Sequence, residues 1–260
     1  VKSYLKLLAR VYDDGEVRTD RTGIGTRSIF GEKLTFHMGE GFPLLTTKKI
    51  YWKGVLHELL WFLSGNTNIK YLQDNSVHIW DEWADGNGDL GPVYGKQWRD
   101  FGGVDQIKEA EKAIKEAPDS RRIIVSAWNP GEMKDMALPP CHMLFQFYVS
   151  EGRYLDLQLY CRSTDIFLGE PYNIASYSIL LHMMAKTTGL IPRKLIQVFG
   201  DLHLYENHRR QAMEQIGREP KELPELKIIN KRDSVTDYVF DDFVLEGYFP
   251  HPHIKAEVAV

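Results

Sequence analysis

Cysteine occurs twice in this 260-residue chain, and one of the two, Cys141, follows Pro139-Pro140 and precedes an apolar run, Met143 to Val149. Each proline locks its φ near about −65°, so covalent geometry fixes the approach to the thiol. A thiol held where a rigid turn enters a buried strand suits nucleophilic attack. Free cysteine is also among the most buried residue types, and a small core side chain is the competing reading. Four further groups carry chemical potential. Glu58 lies in 52–63, where Val55, Leu56, Leu59, Leu60, Phe62 and Leu63 cover most of a helix. A carboxyl there is either paired, near Lys53 and His57, or held with a raised pKa for proton transfer. Arg121 and Arg122 adjoin a strand at 123–128, and if both are held the natural ligand is a dianion such as phosphate. His203 and Tyr205 are two apart and face one side of an extended segment. Trp80 and Trp83 sit among Asp81 and Glu82, ahead of Gly86, Gly88, Gly91 and Gly95. Aromatics on a glycine-shaped loop suit stacking on a flat heterocycle, or pin the loop to the core.

The elements that must position these groups follow from periodicity and punctuation. Val1, Tyr4, Leu5, Leu8, Val11 and Tyr12 mark an amphipathic first helix. Residues 17–31 read as an Arg-, Thr- and Gly-rich loop leading into a strand at 28–37. Across 78–100 the glycines argue against regular helix. Asp105 caps a helix over 105–116. Strands at 144–149 and 154–162 form a hairpin through residues 150–153. In the second strand Leu155, Leu157, Leu159 and Cys161 alternate with Asp156, Gln158 and Tyr160, which puts Cys161 on the buried face. Asn173 reads as the N-cap of an apolar helix that runs to Thr188 and stops at Gly189. A short strand at 195–199, a polar helix at 206–216, and strands at 226–229 and 238–245 complete the pattern.

Composition bounds the class. Net charge is −4, with 43% hydrophobic, 26% charged and 12% aromatic residues. That balance gives no basic field for nucleic acid and ample material for a core. Two cysteines make no disulfide framework and suit a reducing cytoplasm. No run approaches the roughly 20 apolar residues of a membrane span. No repeat or linker divides the chain, so a single α+β domain over 1–260 is expected.

Several long motifs, in order, then point one way: Trp80-Asp81-Glu82-Trp83-Ala84, Gly91-Pro92-Val93-Tyr94-Gly95, Asp119-Ser120-Arg121-Arg122, Pro140-Cys141-His142, Arg162-Ser163, Pro171-Tyr172-Asn173-Ile174-Ala175-Ser176-Tyr177 and Gly200-Asp201-Leu202-His203-Leu204-Tyr205. The chain closely resembles the thymidylate synthase family over nearly its whole length. The resemblance implies an α+β fold whose large mixed sheet forms a dimer interface and is covered by helices. It implies a methyltransferase that converts dUMP to dTMP, with 5,10-methylenetetrahydrofolate giving both the carbon and the hydride, and no metal.

Roles follow from the resemblance. Cys141 matches the nucleophile that adds to carbon 6 of uracil. Arg162 supplies charge near the sulfur and the phosphate. Arg21, Arg162 and Ser163 hold the phosphate, with Arg121 and Arg122 donated by the second subunit of an obligate homodimer. Asn173 reads the uracil edge, and His203 and Tyr205 hold the ribose hydroxyl. Glu58 shuttles protons, and Tyr94 stands beside the step that removes the carbon 5 proton. Asp165 is expected among the catalytic, nucleotide and folate contacts. Lys48, Tyr51, Ile79, Trp80, Trp83, Gly169, Tyr172 and Ala259 complete the folate site, with Lys48 meeting the glutamate tail. A Cys141–His142 dyad is not expected, because neighbouring strand residues face opposite ways.

Three positions depart from the family pattern. Cys161 stands where Gln is usual, and a thiol cannot make the amide's hydrogen bonds, so water or a neighbour must replace them. Glu170 stands where an apolar residue is usual, and Tyr51 where some members carry His. The nearest alternative activity is a nucleotide hydroxymethylase of the same superfamily. A nucleotide- or RNA-binding protein without catalysis is the alternative from another class.

Overall fold

Fifteen-residue strand Ile191–Tyr205 is the spine of the molecule, longer than the 195–199 segment that its apolar residues mark. The computed structural model describes residues 1–19 and 23–258. In chain order its helices and strands are α1 (Lys2–Asp14), β1 (Glu16–Arg18), β2 (Thr26–His37), α2 (Trp52–Ser64), α3 (Lys70–Asp74), α4 (Tyr94–Arg99), α5 (Gln106–Glu116), β3 (Ile124–Ser126), β4 (His142–Ser150), β5 (Tyr154–Asp165), α6 (Glu170–Thr188), β6 (Ile191–Tyr205), α7 (Arg209–Ile216), β7 (Glu225–Ile228) and β8 (Phe243–Glu246). Six strands form one sheet in the order β1-β2-β6-β5-β4-β3, and β7 pairs with β8 apart from it. β5 and β6 run parallel and the other neighbours antiparallel, so the sheet is mixed and the fold α+β, as expected.

One face of the sheet is dry. Phe145 and Phe147 on β4, Leu157, Leu159 and Cys161 on β5, Leu195 and Gln197 on β6, and Leu34 and Phe36 on β2 are all buried. The leucine alternation on β5 therefore placed Cys161 correctly. α6 lies behind this face and is buried nearly all round, as its apolar circumference requires. Buried side chains from Tyr4 to Ile254 form one continuous core. The opposite face is open. Cross-strand partners Ile124 and Gln146, Gln158 and Ile196, and Tyr160 and Val198 line it, with Tyr148 62% exposed.

The ladder breaks in register across neighbouring strands. Pairing lapses at Gly31 opposite Gly200, and at Arg162 beside Gly200, and a bulge interrupts β4 between His142 and Leu144. A Cβ on Gly200 would meet the Arg162 carbonyl oxygen at 2.8 Å, so the closest approach of β5 and β6 needs glycine. Beyond this line the burial alternation changes sides. Thr164, Leu202 and Leu204 are buried, while Ser163, Asp165 and Tyr205 reach a cavity.

Local structure differs from the sequence reading at several points. Helix α4 spans Tyr94–Arg99, where the glycines argue for loop. Its Gly95 is there for contact, since a Cβ would meet the Phe62 carbonyl oxygen of α2 at 2.8 Å. β1 interrupts the loop foreseen at 17–31, and β2 starts at Thr26. Helix α6 begins three residues before Asn173, with Gly169 as its cap and Pro171 in the first turn, so Asn173 is not an N-cap. Residues 238–239 are extended backbone outside any strand, Phe240–Asp242 is a short 3₁₀ helix, and strand β8 starts at Phe243. Asp105 does cap α5, accepting from the Lys108 N–H at 3.1 Å, and α6 does stop at Gly189 with φ 76°.

Candidate active site

A cavity of about 430 Å³ opens where the broken strand ends meet α2, α4 and the first turn of α6. Twelve residues singled out above line it: Glu58, Ile79, Trp80, Trp83, Tyr94, Cys141, Ser163, Asp165, Gly169, Tyr172, Asn173 and Tyr205. Glu58 on α2, residues 78–100 and the consecutive run β5, α6 and β6 are far apart in sequence, and only the fold brings them together.

Cys141 ends the Pro139-Pro140 turn just before β4. Its N–H donates to the Tyr94 hydroxyl at 2.9 Å, and its carbonyl accepts the Arg162 N–H at 2.9 Å. Main-chain and side-chain contacts thus tie α4, the turn and β5 together at the thiol. The Arg162 guanidinium donates to the carbonyls of Pro140 at 2.9 Å and Pro139 at 3.0 Å, and lies 3.9 Å from the Cys141 sulfur. Burial pushes the thiol pKa up and Arg162 pulls it down, and burial wins. The resting sulfur is therefore a protected thiol, with the cation that would stabilise its thiolate already in place.

Glu58 reaches the cavity from the apolar helix α2. Burial pushes its pKa up to about 7, against the indole N–H of Trp80, which donates to it at 2.8 Å. A carboxyl poised near neutrality can both give and take a proton. His57, its neighbour, faces elsewhere and bonds the Tyr71 hydroxyl at 3.0 Å. So the pairing of Glu58 with His57 or Lys53 does not form.

Asp165 closes β5. Its Oδ1 accepts the N–H groups of Phe167 at 2.8 Å and Leu168 at 3.1 Å, which shapes the turn into α6. On β6 the His203 and Tyr205 rings meet edge to face at 5.3 Å, on one side as their spacing requires. His203 is oriented by Asp201 at 3.0 Å, and Asp201 in turn accepts from the Ser28 hydroxyl at 2.7 Å. The His203 contact and the Ser28 hydrogen bond help hold the Asp201 carboxyl below its usual range.

The structure separates some residues from the cavity wall. Lys48 is buried, hydrogen-bonds the Phe167 carbonyl and sits 3.8 Å over the Phe167 ring. Burial lowers its pKa to about 7, with Asp165 opposing. It does not stand free to meet a glutamate tail. Tyr51 is outside the cavity lining and spends its hydroxyl on the Ser76 carbonyl at 3.0 Å. Arg121 and Arg122 are exposed, and among the described residues neither guanidinium has a carboxylate partner. Arg21 and Ala259 lie outside the described residues.

Sequence reasoning missed Leu138, His142, Thr164 and Leu168, which line the cavity together with Val258 of the apolar C-terminal run. The bulge after His142 lets it share the wall with Cys141, against simple alternation. It still forms no dyad. Its Nδ1 contacts the Tyr177 hydroxyl at 2.6 Å, its ring stacks on Tyr94 at 4.0 Å, and burial drops its pKa to about 3. A neutral, stacked imidazole is wall, not base.

Ile79, Trp80, Trp83, Leu138, Leu168 and Tyr172 give the cavity a flat apolar side, while Cys141, Glu58, Ser163 and Asn173 are its reactive and polar groups. An apolar, aromatic wall beside a few convergent polar groups is the composition of a small-molecule site. Among the described residues no cluster of three potential metal ligands occurs, and no helix is long and apolar enough to cross a membrane. The family model described as thymidylate synthase matches residues 2–260, and the chain belongs to the thymidylate synthase family of dUMP methyltransferases.

Proposed function

We propose that this chain converts dUMP to dTMP by reductive methylation, with Cys141 as a covalent nucleophile and methylenetetrahydrofolate as cosubstrate. The observation that carries the reading is the single cavity that joins Cys141, Glu58, Asn173 and a flat aromatic wall. Carbon 5 of uracil is a weak nucleophile. Addition of the Cys141 thiolate to carbon 6 pushes electron density onto carbon 5 and oxygen 4, and loss of the thiolate at the end restores the ring. Arg162 stabilises the thiolate as it forms and helps, with Ser163 and Arg21, to hold the phosphate. Asn173 reads the uracil edge with one amide donor and one acceptor. His203 and Tyr205 hold the ribose hydroxyl, with Asp201 fixing the His203 ring. Glu58 exchanges protons with the ring oxygen through ordered water, and Tyr94 lies beside the carbon 5 proton.

The folate, when bound, supplies the one-carbon unit and the hydride. Trp80, Trp83, Ile79, Gly169 and Tyr172 would hold its rings, with Asp165 beneath. Val258 lines the cavity, and the C-terminal segment would close over the bound ligands and exclude water.

The working unit is a homodimer in this reading. The open sheet face carries Tyr148 at 62% and Ile124 at 43% exposure, apolar surface that a second copy would cover. Arg121 and Arg122, without a carboxylate partner among the described residues, precede β3 at the edge of that face. Across a two-fold axis they reach the partner's phosphate. A cytoplasmic enzyme, with neither nucleic acid nor membrane required, suits the composition.

The test is a dihydrofolate-formation assay with dUMP and dCMP side by side. Dihydrofolate and dTMP from dUMP are expected. Tetrahydrofolate with hydroxymethyl-dUMP would assign the chain to the hydroxymethylases instead.

A further inference from the structure

His208 is 1% exposed and takes no part in the chemistry above, yet it stands where three parts of the site meet. The short 3₁₀ turn Glu206–His208, between β6 and α7, places it there. Its ring meets Tyr205 edge to face at 5.7 Å and Phe167 at 5.6 Å. Its Nδ1 lies 3.9 Å from Asp165 Oδ2 and has no hydrogen-bond partner of its own. Its Nε2 lies 2.7 Å from the Glu257 carbonyl oxygen. A carbonyl only accepts, so Nε2 carries a hydrogen and donates it. Asp165 Oδ1 is occupied by the N–H groups of Phe167 and Leu168, which leaves Oδ2 as the oxygen that His208 faces.

The C-terminal segment meets the α7 side of the molecule through its main chain. Arg218 donates to the Pro252 carbonyl at 2.7 Å, the Gln211 amide nitrogen lies 3.5 Å from the Lys255 carbonyl, and His208 takes Glu257. At 3.6 residues per turn, positions 208, 211 and 218 fall on one side of a helix, and their partners run in the opposite order. Ile254 is 4% exposed and anchors the segment in the core, while Lys255 and Glu257 are exposed. The backbone is thus gripped, and the side chains of Lys255 and Glu257 are not. The grip at Glu257 is the one nearest the cavity, because the next residue, Val258, lines the wall.

We propose that His208 is the positioning residue that seats the C-terminal segment against the folate side of the cavity. The inference rests on the reading of that side as the folate site. Tyr205 and Phe167 fix the ring between them, so its donor has one direction. Nε2–H holds the Glu257 carbonyl, and that sets where Val258 meets the bound ligand. The same ring stands beside Asp165, so one buried group sets both the segment and the carboxylate next to the folate. Loss of the donor loosens the segment and removes no group that holds dUMP.

The test compares His208→Gln, His208→Asn and Glu257→Ala by folate KM, by titration calorimetry of dUMP and by thermal midpoint. A glutamine amide nitrogen reaches the place of Nε2, and an asparagine amide only that of Nδ1. His208→Asn should raise the KM for methylenetetrahydrofolate about tenfold, because a buried acceptor loses its donor. His208→Gln restores a donor and should stay within about threefold of wild type. Glu257→Ala should match wild type, since its carbonyl and not its side chain is held. In all of these variants dUMP affinity should hold within about twofold, because no dUMP contact is touched. A purely structural role would lower the midpoint of both His208 variants and move the folate KM equally or not at all. Equal folate KM in the Asn and Gln variants, or a loss of dUMP affinity as large as the rise in folate KM, would overturn the proposal and leave the dUMP reading intact. A wild-type protein that forms no dihydrofolate from dUMP would overturn both.

Discussion

The Arg162 guanidinium stands 3.9 Å from the Cys141 sulfur because the carbonyls of Pro139 and Pro140 hold it there. The prolines thus do more than aim the thiol, since their carbonyls anchor the cation that opposes the effect of burial on it. Lysine cannot make both carbonyl bonds and reach the sulfur as well. Arg162→Lys is expected to cut kcat/KM by about 10²-fold or more, in the range lost with a key electrostatic partner. The sign for the thiol follows from the contact: Arg162 lowers its pKa, so the variant's should rise. Iodoacetamide alkylation of Cys141 against pH checks this, and an unshifted profile would mean that Arg162 serves the phosphate alone.

Glu58 links activity to pH and stability in opposite senses. Its folded pKa of about 7 lies above the ordinary carboxyl value of 4.5. Between these values the folded state keeps a proton that the unfolded chain releases, so stability falls as pH rises through that window and stays low above it. Glu58→Gln should melt higher than wild type at pH 8, and the difference should vanish below pH about 4.5. The same variant should lose about 10²- to 10⁴-fold in kcat, the usual worth of a general acid–base group. Thermal scans at the two pH values, alongside turnover, separate the effects.

Trp80 tunes that carboxyl. Its indole N–H, 2.8 Å from Glu58, favours the ionised form. Trp80→Phe keeps the aromatic wall and removes the donor, so the Glu58 pKa should climb further. The acidic limb of the kcat/KM profile is then expected to move to higher pH. A limb that stays put would separate Glu58 from the observed ionisation.

The dimer reading makes a prediction about mixed subunits. Cys141→Ser and Arg122→Ala homodimers should each be nearly inactive. A mixed dimer of the two has one site with both defects and one with neither. Equal random mixing after dissociation should restore about a quarter of wild-type activity. No recovery on mixing, with exchange shown by mass, would keep Arg122 within its own subunit.

Much of the architecture was legible in the chain because simple periodicities govern it. The leucine alternation that ends at Cys161, the Asp105 cap and the Gly189 stop are local signals with local causes. What failed was local evidence overruled by packing. Gly95 reads as a helix breaker but serves a close helix contact with Phe62. Asn173 reads as a cap, yet Gly169 and Pro171 start α6 a turn earlier, which frees its amide for the cavity. Leu138 and Leu168 carry no chemical signal that sequence could have shown, and His142 reaches the cavity through a bulge that alternation does not foresee.

The proposed chemistry turns on one bond, between the Cys141 sulfur and carbon 6 of the pyrimidine. A dUMP fluorinated at carbon 5 cannot lose a proton there, so the thiolate addition should be trapped when the folate is also present. Intact-protein and peptide mass spectrometry should then show added nucleotide mass on the peptide that carries Cys141, and none in Cys141→Ser. Full turnover of dUMP by Cys141→Ser, or trapped mass on Cys161 instead, would contradict it.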